Sequence, residues 1–212
     1  MTPIDASRLI EEKLAAASGK SVLMQRDPNC SGNASIKIAS DEDTAHVLRY
    51  KPELESELPY LSAFQCGRAL RSIQAKTVNR FDLASTPAMG QEVKRLIEGH
   101  FQKIGSPVPM SMIPQLFQQF GHGLGLQVRS MPIAIRVDDW LFRDYSALAD
   151  RQRKSIERQL QEAMHALGPS ARPFAAQIII DANVGASCAL AKFRARSRNE
   201  PEVASVHFGG LW

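Results

Sequence analysis

The sequence has few cysteines, few aromatic residues and no long apolar run. Its 212 residues include 3 cysteines, Cys30, Cys66 and Cys188, which form no C-x-x-C pair. A sparse, odd number argues against a disulfide framework and is typical of a reducing cytosol. No stretch approaches the roughly 20 apolar residues that span a bilayer, and the N-terminal segment is too charged for a signal peptide. We therefore expect a cytoplasmic protein with no membrane partner.

The chain also has little excess of charge. Its net charge is +4 and its pI is about 9.1, with 44% hydrophobic and 23% charged residues. This composition is typical of an ordinary globular protein. The mild basicity permits an acidic partner or nucleic acid without requiring either. No G-x-S-x-G segment, Walker-type loop or kinase-like set of motifs occurs.

Apolar periodicity predicts an α+β fold. Residues 3–18 have helical spacing, Pro3 suits a first turn, and Gly19 is a stop signal. Three short strand-like segments follow: K-S-V-L-M-Q-R-D, A-S-I-K-I-A-S and A-H-V-L-R-Y. A central helix is predicted over about 56–75, and a mostly helical C-terminal half follows. We interpret residues 1–212 as a single domain with a C-terminal helical extension from about 126.

The central helix carries the most informative motif. From Phe64 the sequence reads F-Q-C-G-R-A-L-R. Three substitutions would convert it to H-E-C-G-H-A-L-R, the zinc helix of a metalloprotease. In such a helix two imidazoles four residues apart converge on one ion, and the glutamate beside the first is the general base.

The motif, with the preceding order of helix, strands and helix, resembles the zincin-like domain of the ImmA/IrrE metalloprotease family. The resemblance covers roughly the first 75 residues. It implies a zincin-like fold and a bacterial cytoplasmic setting. This chain departs from the family at every position that carries the chemistry.

The departures predict a degenerate site with no catalytic residues. Phe64 replaces the first histidine and cannot bind a metal. Gln65 replaces the glutamate and cannot be a carboxylate base, and Arg68 replaces the second histidine with a cation. We expect no cofactor and no metal. The resemblance then favours a non-catalytic pseudoprotease that binds another protein as a scaffold or regulatory subunit of a multi-subunit assembly.

Other interpretations of this helix remain open. An ordinary amphipathic helix with a buried cysteine and a close-packing glycine fits the same residues. Cys66 with His46 could form a nucleophile and base, although a buried cysteine usually packs as a small hydrophobe. If zinc binds through distant residues, His46, Cys66 and Cys188 are the first candidates.

Two further segments are candidate binding surfaces. R-S-M-P-I-A-I-R-V-D-D-W-L is apolar and predicts a core strand, or alternatively a protein interface formed by Met131, Ile133 and Trp140. A basic C-terminal segment predicts the alternative function, a nucleic-acid-binding subunit. Its cations are Lys192, Arg194, Arg196 and Arg198. The glycines of F-G-H-G-L-G-L-Q are interpreted as a flexible linker or helix cap.

Overall fold

The computed structural model describes residues 1–30, 32–76, 78, 86–104 and 109–165, with six further positions, 180–182, 184, 185 and 189. The helices and strands are, in chain order, α1 (Pro3–Ser18), β1 (Ser21–Arg26), β2 (Ala34–Lys37), β3 (Ala45–Tyr50), α2 (Leu58–Gln74), α3 (Pro87–Ile104), α4 (Ile113–Asp144) and α5 (Ala149–His165). Single 3₁₀ segments precede α2, α4 and α5. The predicted α+β class, with a small sheet and a mostly helical remainder, is confirmed.

The backbone divides into two compact units. The first comprises Met1–Phe81 and Ile133–Ile156, and the second comprises Asp82–Pro132 and Glu157–Trp212. Residue 126, where the sequence predicted a C-terminal extension to begin, lies inside α4. The candidate site described below belongs to the first unit.

Helix α1 begins and ends where its sequence predicts. The Thr2 hydroxyl accepts a hydrogen bond from the Asp5 N–H, and the Asp5 carboxylate accepts one from the Thr2 N–H, which forms a capping box. The helix ends at Gly19 with φ of 72°, a left-handed conformation that glycine adopts without steric cost. Ile10 and Leu14 are fully buried, so this helix contributes directly to the core.

The sheet has three strands in the order β1–β3–β2. Strand β1 is parallel to β3, and β2 is antiparallel to it. On β3 the alternate residues His46, Leu48 and Tyr50 are buried, and helices α1 and α2 pack against the sheet. Side chains on successive strand residues point to opposite faces, so the alternation identifies the face of β3 that contributes to the core.

A buried polar network links α2, α4 and α5 within the first unit. The Tyr60 hydroxyl donates to the Asp138 carboxylate at 2.7 Å, and the Gln152 amide donates to the same oxygen at 2.9 Å. The Gln152 amide also lies 2.8 Å from the Asp138 carbonyl oxygen. All three side chains are buried, so the two donors offset the cost of burying the carboxylate.

Two predictions for the middle of the chain were wrong. Gly121, Gly123 and Gly125 are neither linker nor cap but lie inside α4, and the core strand predicted over 129–141 is part of the same helix. The reason lies in the burial pattern. Val137 and Leu141, four residues apart, are fully buried, which is helical spacing. The alternation of apolar residues that resembled a strand is a coincidence within this helical pattern.

We predict that the Tyr60→Phe substitution lowers the free energy of unfolding by about 1–3 kcal/mol, because the buried Asp138 carboxylate loses one of its donors. The matched control is Tyr50→Phe, because the Tyr50 hydroxyl receives a 3.3 Å bond from Arg26, whose side chain is 61% exposed. Water can replace that contact, so we expect the control to change stability by less than about 1 kcal/mol. Urea unfolding measures both values, and equal losses would contradict a special role for the network.

Candidate functional site

The segment F-Q-C-G-R-A-L-R, which resembles the zinc helix of a metalloprotease, lies in the middle of α2. Its glycine is favoured by packing rather than by backbone conformation. A Cβ atom built on Gly67 would lie 3.0 Å from Val137 Cγ1 and 3.1 Å from Trp140 Cζ3. Both distances are shorter than ordinary van der Waals contact, so any larger residue would have to displace the α4 side chains. The motif is therefore also a helix-packing segment.

Gln65 lies at the position where a zinc helix carries its general base. Here its side chain takes part in a hydrogen bond within the fold. Its side chain is only 7% exposed. The Nε2 atom donates to the Ala34 carbonyl oxygen of β2 at 2.7 Å. This bond joins the helix to an edge strand of the sheet and provides a donor to a backbone carbonyl of a buried residue.

Phe64 and Arg68 occupy the positions of the two histidines. The Phe64 ring lies 5.9 Å from the Tyr60 ring, and the Arg68 guanidinium carbon lies 6.0 Å from the centroid of the Phe64 ring. Burial lowers the pKa of Arg68, because desolvation disfavours the charged form. The Arg68 Nε atom is buried and has no hydrogen-bond partner. Phe64 and Arg68, at the positions that carry histidines in a zinc helix, thus form a cation–π pair.

Cys66 is not arranged as a nucleophile. It is fully buried, and burial together with the nearby Glu11 carboxylate raises the pKa of its thiol to about 12. Its sulfur lies 3.9 Å from the Ser62 hydroxyl, which donates to Glu11 at 2.7 Å. The thiolate is the reactive form of cysteine, and a thiol with so high a pKa stays protonated. Cys66 is therefore a small hydrophobic residue of α2, packed near Glu11 of α1.

Both ring nitrogens of His46 are also engaged in hydrogen bonds within the fold. Its Nδ1 atom accepts from the Ala39 N–H at 3.0 Å, and Nε2 lies 2.9 Å from the Ser18 hydroxyl. That hydroxyl donates to the Leu14 carbonyl oxygen, so the neutral ring must carry its proton on Nε2. Burial, and to a smaller degree Lys20, lowers the pKa of His46. Its basic nitrogen is therefore not free to accept a proton from a nucleophile.

The residues predicted for a protein interface do not all belong to one unit. Ile133 and Trp140 are half-buried and pack against the core of the first unit, whereas Met131 belongs to the second unit. Cys188 and the basic positions Lys192, Arg194, Arg196 and Arg198 lie outside the described residues. The predicted nucleic-acid interface therefore stays a prediction.

Trp140 instead lies at the centre of a cluster that the sequence did not predict. The Lys13 ammonium is 6.0 Å from its ring centroid and 5.4 Å from that of Tyr145, and the Arg71 guanidinium carbon is 6.0 Å from the Trp140 ring. The Trp140 and Tyr145 rings make an edge-to-face contact at 5.2 Å. These residues come from three helices that are distant in sequence, and no local pattern indicates their meeting.

No protein-family model, curated protein or solved structure matches the chain. Among the described residues, no three histidine, cysteine or acidic side chains come together in a way that could hold a metal ion. None of the described helices is both long and apolar enough to cross a membrane.

We predict that the free energy of unfolding falls as the pH drops below about 6.5, the ordinary pKa of histidine. The pKa of His46 is lowered in the folded state, so the unfolded chain binds a proton first and stability is lost on acidification. For this one group the slope is at most about 1.4 kcal/mol per pH unit. Chemical unfolding of the wild type and the His46→Gln variant between pH 8 and 5 measures it. The stability difference between the two proteins should shrink with falling pH, and a constant difference would contradict the assignment.

A second prediction concerns the Cys66 thiol. Because it is fully buried and its pKa is about 12, we expect iodoacetamide to modify it at pH 8 only after unfolding. The control is Leu23→Cys, since Leu23 is 59% exposed on β1. Mass spectrometry of labelled peptides should show Cys66 reacting at least about a hundredfold more slowly than this control thiol. Comparable rates would instead support a reactive cysteine.

Proposed function

We propose that this chain is a non-catalytic, zincin-like pseudoprotease that binds another protein as a scaffold or regulatory subunit. In this proposal it acts in the bacterial cytoplasm, within a multi-subunit assembly, and needs no cofactor. The zincin-like relationship itself comes from the motif on α2 and the order of elements before it.

The observation that carries the proposal is the Phe64–Arg68 pair. These residues are four apart, the spacing with which a zinc helix directs two imidazoles to one ion. Here the guanidinium carbon lies 6.0 Å from the ring centroid. A guanidinium is protonated at neutral pH and has no lone pair to donate to a metal. Its charge would repel a cation from the same position.

The neighbouring residues support a loss of catalysis rather than a change of mechanism. Gln65 donates its amide hydrogen to Ala34, and an amide is not basic enough to activate water. Cys66 and His46, the alternative nucleophile and base, are both buried. A helix that keeps its structure but lacks catalytic side chains is better suited to binding a partner than to catalysis.

The first experiment is elemental analysis of the purified full-length protein, before and after incubation with zinc and dialysis. We expect no stoichiometric zinc and no peptidase activity. The variant Arg8→His/Glu12→His is a matched positive control, because it places two histidines four residues apart on the exposed side of α1. About one tightly bound zinc per wild-type chain would contradict the proposal.

Partner binding needs a separate experiment. A photo-reactive amino acid introduced at Ser72, which is exposed on α2 beside Arg68 and Arg71, would capture neighbouring molecules in cells. The complex would then be reconstituted from purified components and its stoichiometry measured by ultracentrifugation. Cross-links to nucleic acid in place of protein would favour the alternative function.

A further inference from the structure

Three cations of the first unit lie on one surface, in front of aromatic rings. We call this surface the cationic face, and it comprises Lys13, Arg68 and Arg71 with the rings of Phe64, Trp140 and Tyr145. Arg68 and Arg71 are three residues apart on α2, so their side chains are neighbours on the helix surface. Lys13 reaches the same surface from α1, where its ammonium donates to the Tyr145 hydroxyl at 2.7 Å.

Among the described residues, the cations of the cationic face have no carboxylate partner, unlike Arg26 and Lys37 on the same unit. Arg26 pairs with Glu55 at 2.6 Å and Lys37 pairs with Asp43 at 3.0 Å. In contrast, within the described part of the chain no carboxylate lies within ion-pair distance of any cation of the cationic face. The aromatic rings hold these cations in position without neutralising them.

The absence of a partner is clearest at Arg68. Its guanidinium is partly desolvated beside Phe64, and its buried Nε atom has no acceptor. That Nε atom is closed to an external ligand, whereas the terminal nitrogens of the guanidinium are not among the buried atoms without a partner. A planar carboxylate is the group that best matches those nitrogens. Charge complementarity therefore indicates an anionic ligand for this surface.

We infer that the cationic face binds an acidic peptide segment of a partner protein, with carboxylates paired to Arg68 and Arg71. This inference rests on the proposed function and specifies the chemistry of the partner. Lys13 contributes to the attraction at the edge of the surface. Bound carboxylates would supply the counter-charges that the described chain does not provide.

The geometry favours carboxylates over the phosphates of a nucleic acid. Two cations already lie over the Trp140 ring, so that ring is hindered as a stacking platform for a base. Three charges on one short surface are also few for a nucleic-acid interface, in which binding depends on many phosphate contacts. A short acidic segment requires only the charges present here.

The test is fluorescence anisotropy with the full-length protein and a fluorescein-labelled twelve-residue peptide rich in Glu and Asp. A peptide of the same length with Gln and Asn at those positions is the control ligand. Variant Arg68→Gln/Arg71→Gln should bind the acidic peptide at least about tenfold more weakly, since charge-assisted hydrogen bonds are lost. Variant Lys13→Gln/Arg71→Gln leaves the half-buried Arg68 intact and is a second measure if the first variant unfolds.

The matched control variant is Arg26→Gln/Lys37→Gln. It removes the same charge from cations that already have carboxylate partners, so its affinity should change less than about twofold. A second readout is the fluorescence of Trp140 in a Trp212→Phe background, which should respond to the acidic peptide and not to the neutral one.

Three results would overturn the inference. They are no binding of the acidic peptide by the wild type, equal losses in the control and face variants, or a stronger preference for a single-stranded oligonucleotide that the face variants abolish. Zinc content separates this inference from the proposed function. A zinc-free protein that ignores the acidic peptide contradicts only the inference, whereas stoichiometric zinc contradicts the proposed function.

Discussion

The buried carboxylate of Asp138 is the constraint on which the helical packing of the first unit depends. A buried charge is tolerated only where donors converge on it, and here they come from Tyr60 on α2 and Gln152 on α5. The three helices can satisfy this carboxylate in one relative register, because sliding any of them by a turn would remove a donor. Apolar contacts such as those of Val137 and Leu141 are less specific, since several registers would bury similar area.

That register determines what the motif on α2 can do. With α4 fixed by Asp138, position 67 favours a glycine, because a Cβ atom there would lie 3.0 Å from Val137 and 3.1 Å from Trp140 and would push these side chains aside. On another side of α2, Gln65 bonds to the edge strand β2 through Ala34. The helix is thus held by neighbours on both sides. The side chains of Phe64 and Arg68, which lie between these contacts, are the ones left for interaction beyond the fold.

Local patterns predicted the N-terminal part of the fold well. Helix α1 has a proline in its first turn, an apolar face and Gly19 as its end, and each strand alternates or is bounded by turn residues. The same reasoning failed in α4. Its glycines and alternating apolar residues locally favour a loop and a strand, but burial of one helical face in the tertiary structure outweighs that local preference. The identities of Phe64, Gln65 and Arg68 predict a site without metal ligands or a general base, and this stays a prediction. Their contacts, and the meeting of Lys13 with Trp140, depend on helices far apart in sequence.

In the proposed function and the inference that rests on it, the loss of a metal site and the gain of an anion site are physically related. A zinc helix directs its ligands to a partly desolvated position where a cation is stabilised by lone pairs and a nearby carboxylate. Replacing an imidazole with a guanidinium puts a permanent positive charge at that position, so the preferred ligand changes sign. Arg68 cannot be neutralised by losing its proton under physiological conditions, and the rings of Phe64 and Trp140 stabilise cations without cancelling their charge. A surface of this kind would attract a carboxylate from another molecule. Under the proposal, the loss of catalysis and the gain of binding both follow from the arginine at position 68.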